Sequence, residues 1–289
     1  MKQYNIKTVG IAALLVLIIS GQGCSPIPND GVPIYIQVDS PTVVIDGSFG
    51  SASQRIVDVW AETGNHNLGA YEMPVKIPVL AQGDVPFIFS AGILDNGTVD
   101  ARAEYPFYRP DTFTIYNAIP GHTYVHHPVY HYFTRTNVAL NETFEGIASS
   151  FSGLALTNIT ADSAVFEGNH SSTIAMGVND TVKFATQNAP GSTITTNGRQ
   201  AYLELNYKSG LLFDIGIRET TGTGSAATYT DIPLVTLVPQ AHWHKSYINL
   251  SNAIGSYPGA SFQLYFIAYN TLGSTGNLYL DNIMILYFN

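Results

Sequence analysis

The run Ser261-Phe262-Gln263-Leu264-Tyr265-Phe266-Ile267-Ala268-Tyr269 decides the fold of this chain. Phe262, Leu264, Phe266 and Ala268 take every second place, and Gln263, Tyr265, Ile267 and Tyr269 stand between them. A period of two is that of a strand whose successive side chains point to opposite faces. The first set is wholly apolar and belongs in a core. The second mixes amide, aliphatic and phenol groups and suits a surface. Outward from this run the same rhythm returns: Leu203, Leu205 and Tyr207 alternate with Tyr202, Glu204, Asn206 and Lys208, and Phe213, Ile215 and Ile217 with Asp214, Gly216 and Arg218. No stretch beyond residue 24 keeps a helical period across three turns, so the chain reads as all-β.

The alternation divides into two regions. Residues 34–118 hold roughly seven short apolar-alternating runs, the number and turn spacing of an immunoglobulin-like sandwich. Turn signals at 63–65, 82–84 and 95–97 separate them. Trp60, Ile77, Val79, Phe87, Ile88 and Phe89 are its candidate core, and Pro74, Pro78 and Pro86 mark strand ends or edges, since proline cannot donate to a ladder. The aromatic, proline-punctuated stretch Tyr105 to Pro110 reads as domain packing at a strand end, with an exposed loop as the alternative. Residues 119–137 are expected to form a linker strand. Its histidines split, His122 and His126 to one side and His127 and His131 to the other, so they do not converge on one metal. His242 and His244 share a face but need a third ligand to hold zinc. Residues 138–289 form the second sandwich.

Composition narrows the function. Charged residues are only 11% of the chain, with 12 basic and 21 acidic side chains. Such an acid excess disfavours nucleic acid, whose phosphates need a basic footprint. With a single cysteine, no intramolecular disulfide can form and each core must hold by packing.

That cysteine is Cys24. Before it come Lys2 and Lys7, the uncharged apolar run Val9 to Ile19, and then Ser20, Gly21, Gln22 and Gly23. A basic start, a short apolar run and small residues at a cut point are the parts of an export signal, and the run is too short to span a bilayer. The segment resembles a bacterial lipoprotein signal peptide, with Gly21 where those signals carry an apolar residue. The resemblance implies cleavage after residue 23, lipid on the Cys24 thiol, a proline-rich tether over 24–33, and residence at the cell envelope, with the outer membrane as the expected site.

A second resemblance covers residues 138–289. Phe144-Glu145 near the start, Glu167-Gly168 followed by Ser171, the run Trp243 to Leu250, and Leu280-Asp281-Asn282-Ile283 in the last strand occur in the order found in jelly-roll carbohydrate-binding modules. The resemblance implies a jelly roll and a structural calcium ion tying the first strand to the last, for which Glu142, Glu145 and Asp281 are the candidates. Calcium takes six to eight oxygen ligands, carboxylates among them.

A sugar presents an apolar C–H face ringed by hydroxyls, so its binder needs flat aromatic rings flanked by amide, carboxylate or guanidinium groups. Tyr202, Glu204, Asn206, Arg218, Tyr265 and Tyr269 supply those types on the outward-pointing sets, and they are the candidate site. The competing reading is an ordinary solvated face in a chain with 18 tyrosines. No nucleophile elbow, zinc-protease helix or phosphate loop occurs, so the chain is read as a binder, not an enzyme. The expected function is a lipid-anchored glycan-binding protein of the envelope; the alternative is a structural subunit of a surface complex with no sugar ligand.

Overall fold

The computed structural model describes residues 31–45, 51–152, 156–161, 163–194, 200–257, 260–271 and 273–288. Cys24 and the leader lie outside them. In the first half the strands are β1 (Ile34–Val38), β2 (Thr42–Val44), β3 (Asp58–Thr63), β4 (His66–Glu72), β5 (Val75–Val79), β6 (Gly83–Leu94), β7 (Arg102–Glu104), β8 (Tyr108–Arg109), β9 (Asp111–Ala118), β10 (Thr123–His126) and β11 (Val129–Tyr132). In the second they are β12 (Asn137–Glu142), β13 (Phe151–Ser152), β14 (Thr157–Ile159), β15 (Ser171–Met176), β16 (Thr181–Thr186), β17 (Ala201–Ser209), β18 (Leu212–Thr221), β19 (Thr228–Leu237), β20 (Gln240–Asn249), β21 (Ser261–Tyr269) and β22 (Gly276–Tyr287), with a short helix α1 (Ser251–Gly255) between β20 and β21.

The first half stacks the sheet β4-β3-β6, which also carries β7 and β9, against the small sheet β10-β1-β5. Ile34, Ile36, Val38, Val59, Phe87 and Phe89 fill the space between them. Trp60 and Ile88, expected in this core, sit on strand positions of the other parity, and Ile88 is exposed. Residues 119–137, read as a linker strand, supply β10 and β11, which run parallel to β1 and β2. Of the histidines there, His126 is drawn into the sandwich, against Asp111 at 2.5 Å and 4.4 Å from the Phe113 ring, whereas His122 and His127 are exposed.

The second half is two antiparallel sheets, β14-β15-β22-β17-β20 with β12 also on β22, and β13-β16-β21-β18-β19. The apolar sets read from the sequence meet between them: Leu203 and Leu205 from one sheet, Phe213, Ile215, Phe262, Leu264 and Phe266 from the other. Phe184 and Phe266 stack nearly parallel at 4.9 Å. Burial of these aromatic and aliphatic side chains is the main favourable term, about 1.5–3 kcal/mol each relative to exposure.

The two sandwiches are welded together. Tyr105, Phe107, Tyr108, Tyr130 and Tyr132 from the first pack on Tyr202, Tyr247, Met284 and Leu286 from the outer face of the β17-β20-β22 sheet. Tyr105 lies 5.4 Å from Tyr202 and 4.8 Å from Tyr247, ring to ring. The stretch from Tyr105 is thus packed rather than an exposed loop, and what it packs against is the other sandwich. At the centre of this seam is an ion pair, Lys245 Nζ to Glu204 Oε2 at 2.7 Å, with both side chains at most 3% exposed. Tyr132 donates to both Glu204 oxygens at 3.0 and 3.1 Å, and Tyr105 donates to Oε1. A buried carboxylate is tolerable only with such a set of partners.

Candidate functional site

Of the six residues read as one ligand face, the structure separates three from three. Tyr202, Glu204 and Asn206 lie on β17, under the first sandwich: none is more than 3% exposed, Glu204 is spent on Lys245 and the tyrosines, and Asn206 donates to Ser53 at 2.8 Å. They bind the other domain and offer nothing to a ligand. Alternation told which side of the strand they occupy, but not that a second domain covers that side.

Arg218, Tyr265 and Tyr269 share the outer face of the opposite sheet. β21 carries Tyr265 and Tyr269 outward, and β18, its neighbour, carries Asp214, Gly216 and Arg218 outward, opposite Ile267, Tyr265 and Gln263. Gly216 is required: a Cβ there would stand 2.3 Å from the hydroxyl end of Tyr265 and 2.6 Å from the Ile232 carbonyl. The phenol therefore lies down over β18 as a floor, 3% exposed, and burial raises its pKa. Lys183 of β16 crosses above it, its Nζ 4.4 Å from the ring centre, and reaches Asp231 Oδ2 of β19 at 2.5 Å. From β16 to β19 is three strand spacings, about 14 Å on a flat sheet. Two side chains close that gap only if the sheet curls inward, so this face is concave.

Arg218 grips the same Asp231 with both ends of its fork, Nε at 2.7 Å and Nη2 at 3.1 Å. These hydrogen bonds, Arg218's first and Lys183's with them, pull the Asp231 carboxyl down to about 2. Tyr269, half-buried, donates to Asp214 Oδ2 at 2.7 Å, and that bond pushes its pKa up to about 12. Thr236 donates to the other Asp214 oxygen at 2.6 Å. Tyr229 stands at the rim, 65% exposed. The face thus combines an aromatic floor, a second ring beside it, two carboxylates and two cations in balance. Sequence reading missed Lys183, Asp231 and Tyr229. Lys183 was findable from the alternation of Phe184 with its neighbours; Asp231 was hidden because the β18–β19 register shifts between Ile215 and Gly216.

The calcium candidates fall in two places. Glu142 is taken up within its own turn, accepting from the Phe144 N–H at 2.8 Å and from the Ser150 N–H. Glu145 accepts the N–H groups of Asn169 and His170, each at 2.8 Å, and Asp281 accepts from the Ser171 hydroxyl at 2.5 Å and the Asn282 N–H at 2.7 Å. Burial lifts the Asp281 carboxyl to about 6. Among the described residues no three acid, histidine or cysteine side chains converge as a metal site, and no helix is long and apolar enough to cross a membrane.

No family model and no curated protein matches the chain. It is similar to solved carbohydrate-binding modules: a family 16 module at 15% identity, spanning 52% of this chain and 99% of that one with a TM-score of 0.37; modules from the β-sandwich superfamily at 16%, 89% and 98%, TM-score 0.38; and the C-terminal family 22 module of Clostridium thermocellum Xyn10B at 16%, 50% and 90%, TM-score 0.33.

Proposed function

We propose that the chain is a non-catalytic glycan-binding protein whose ligand lies across the concave face of β16, β21, β18 and β19. The observation that carries this is the convergence of Tyr269, Tyr229, Arg218, Asp214 and Asp231 on one curved outer surface laid over the buried Tyr265, with accessible rings for C–H faces and both donors and acceptors for hydroxyls. Both cations there are spent on Asp231, while Asp214 keeps its negative charge with only the Tyr269 and Thr236 hydroxyls on it, which favours an uncharged polysaccharide over an anionic one. Lys183 is about a third exposed, so its ion pair with Asp231 is weak and can open to uncover Tyr265.

The lipidated Cys24 and the proline-rich tether would hold the two sandwiches at a bacterial envelope, a reading supported by the leader's sequence alone. The first sandwich is read as immunoglobulin-like, supported by the parallel pairing of its first and penultimate strands. A calcium ion at Glu145 and Asp281 is also proposed; both carboxylates border the turn 167–171, with Glu167 raising Asp281 further by its charge.

The test is affinity electrophoresis of the purified chain through gels containing one neutral polysaccharide each, beside the Tyr269→Ala variant. Retention by at least one polysaccharide, lost in the variant, is expected. No retention across neutral β-glucans, xylans and mannans would favour the structural-subunit reading.

A further inference from the structure

The first sandwich covers only part of the β17-β20-β22 sheet, and the remainder carries a cluster that the concave face does not use. Tyr279 of β22 stands in register with Thr173 of β15 on one side and Lys208 of β17 on the other. The Lys208 ammonium lies 4.7 Å from the Tyr279 ring centre and 5.8 Å from that of Trp243. Phe166 backs Trp243 at 5.4 Å. All four side chains are half-buried, so each keeps a side open to solvent. Beside them is a cavity of about 310 Å³, lined by Lys208, Tyr279, Ser209, Gln240 and Asn277 with small residues between.

The cavity and the residues around it point to one ligand chemistry. Its lining has a cation and amides but no carboxylate, in a chain whose net charge is −9. Lys208 donates to the Ser163 carbonyl at 2.5 Å and has no carboxylate partner among the described residues, unlike Lys183, Arg218 and Lys245. The Trp243 Nε1–H and the Thr173 hydroxyl are buried without a hydrogen-bond partner, a state that costs free energy until a ligand or water satisfies it. The cation calls for an anion, the rings for a C–H face, and the amides for hydroxyls. A quaternary amine, the other common guest of aromatic clusters, would be repelled by Lys208.

We propose that Lys208, Trp243 and Tyr279 form a second saccharide site, selective for a sugar that carries a carboxylate, such as a uronic acid residue. Its ring stacks on Tyr279 and Trp243, its carboxylate pairs with Lys208, and its hydroxyls meet Gln240 and Asn277. The site is independent of the concave face in both residues and ligand charge.

The experiment is calorimetric titration of the full chain with α-1,4-linked trigalacturonate, with the matching neutral galactotriose, and with inorganic phosphate. Trigalacturonate is expected to bind, to weaken at 0.5 M NaCl, and to lose at least tenfold in affinity in Lys208→Met, which keeps the alkyl stem over the rings, and in Trp243→Ala. Tyr269→Ala leaves it unchanged while abolishing neutral-polysaccharide retention, so the two sites fail separately. Circular dichroism melts of each variant establish that it folds. Absence of trigalacturonate binding, undiminished binding in Lys208→Met, or phosphate binding as tightly as the trisaccharide would each overturn the proposal.

Discussion

Tyr269 and Tyr265 look alike in the sequence and do different work. Tyr265 is a floor, held by Gly216 beneath and Lys183 above, whereas Tyr269 keeps solvent access and is oriented by Asp214. Replacing Tyr269 by Phe keeps the ring and frees Asp214; weakening of glycan binding by about 1 kcal/mol, near fivefold, is the expected outcome in titration, against near-complete loss for alanine. His244 offers a test of the domain seam. Burial first, and the Arg55 guanidinium beside it second, lower its pKa from 6.5 to about 4, so it stays neutral and accepts from Arg55. The unfolded chain then binds more protons between pH 6.5 and 4, and stability falls as pH drops through that window. Denaturant titrations should show a loss of about 1–3 kcal/mol from this group, a slope that His244→Gln removes. These roles were only half legible: residue type announced the tyrosines, but nothing local says that Tyr202 faces another domain and Tyr269 faces water.

Among the elements, β18 carries the clearest sequence-to-site link. Its alternation placed Phe213, Ile215 and Ile217 in the core and Asp214 and Arg218 outside, and the structure agrees. The glycine between them makes room for the Tyr265 ring. Gly216→Ala is expected to lift that ring, costing about 1–3 kcal/mol by overpacking and weakening glycan retention along with the melting temperature; retention unchanged would mean that Tyr265 is no part of the floor. The turn 167–171 gives the calcium proposal its measurement. Millimolar CaCl₂ should raise the melting midpoint by several degrees and EDTA should reverse it, an effect lost in Asp281→Asn; an unmoved midpoint refutes a cation there. Within 119–137 the parallel pairing with β1 and β2 was not legible, because it is set by partners far away in sequence, to which local turn signals are blind.

At the scale of the whole molecule, the seam between sandwiches makes the chain one cooperative body. Glu204 and Lys245 are each buried with the other as counter-charge, so Glu204→Gln leaves a bare ammonium in the seam and should cost about 3–5 kcal/mol, while the double variant Glu204→Gln, Lys245→Met recovers much of it. Calorimetry of the native chain should show a single transition; two well-separated ones would mean that the sandwiches unfold independently and that the seam contributes little. All-β class and the two-sandwich division were readable because side-chain period is a local property. The seam was not, since Tyr105 and Glu204 meet across 99 residues of chain. The consequence for function is that the docked first sandwich covers much of one sheet of the second and leaves the whole concave sheet open. The most direct test is amide and tyrosine-ring chemical-shift mapping by NMR, titrating in oligosaccharides of whichever neutral polysaccharide retains the protein. Shifts concentrated on β16, β18, β19 and β21, with Tyr269 the largest, are predicted; shifts confined to the first sandwich, or to the Tyr202–Glu204 seam, would contradict the account.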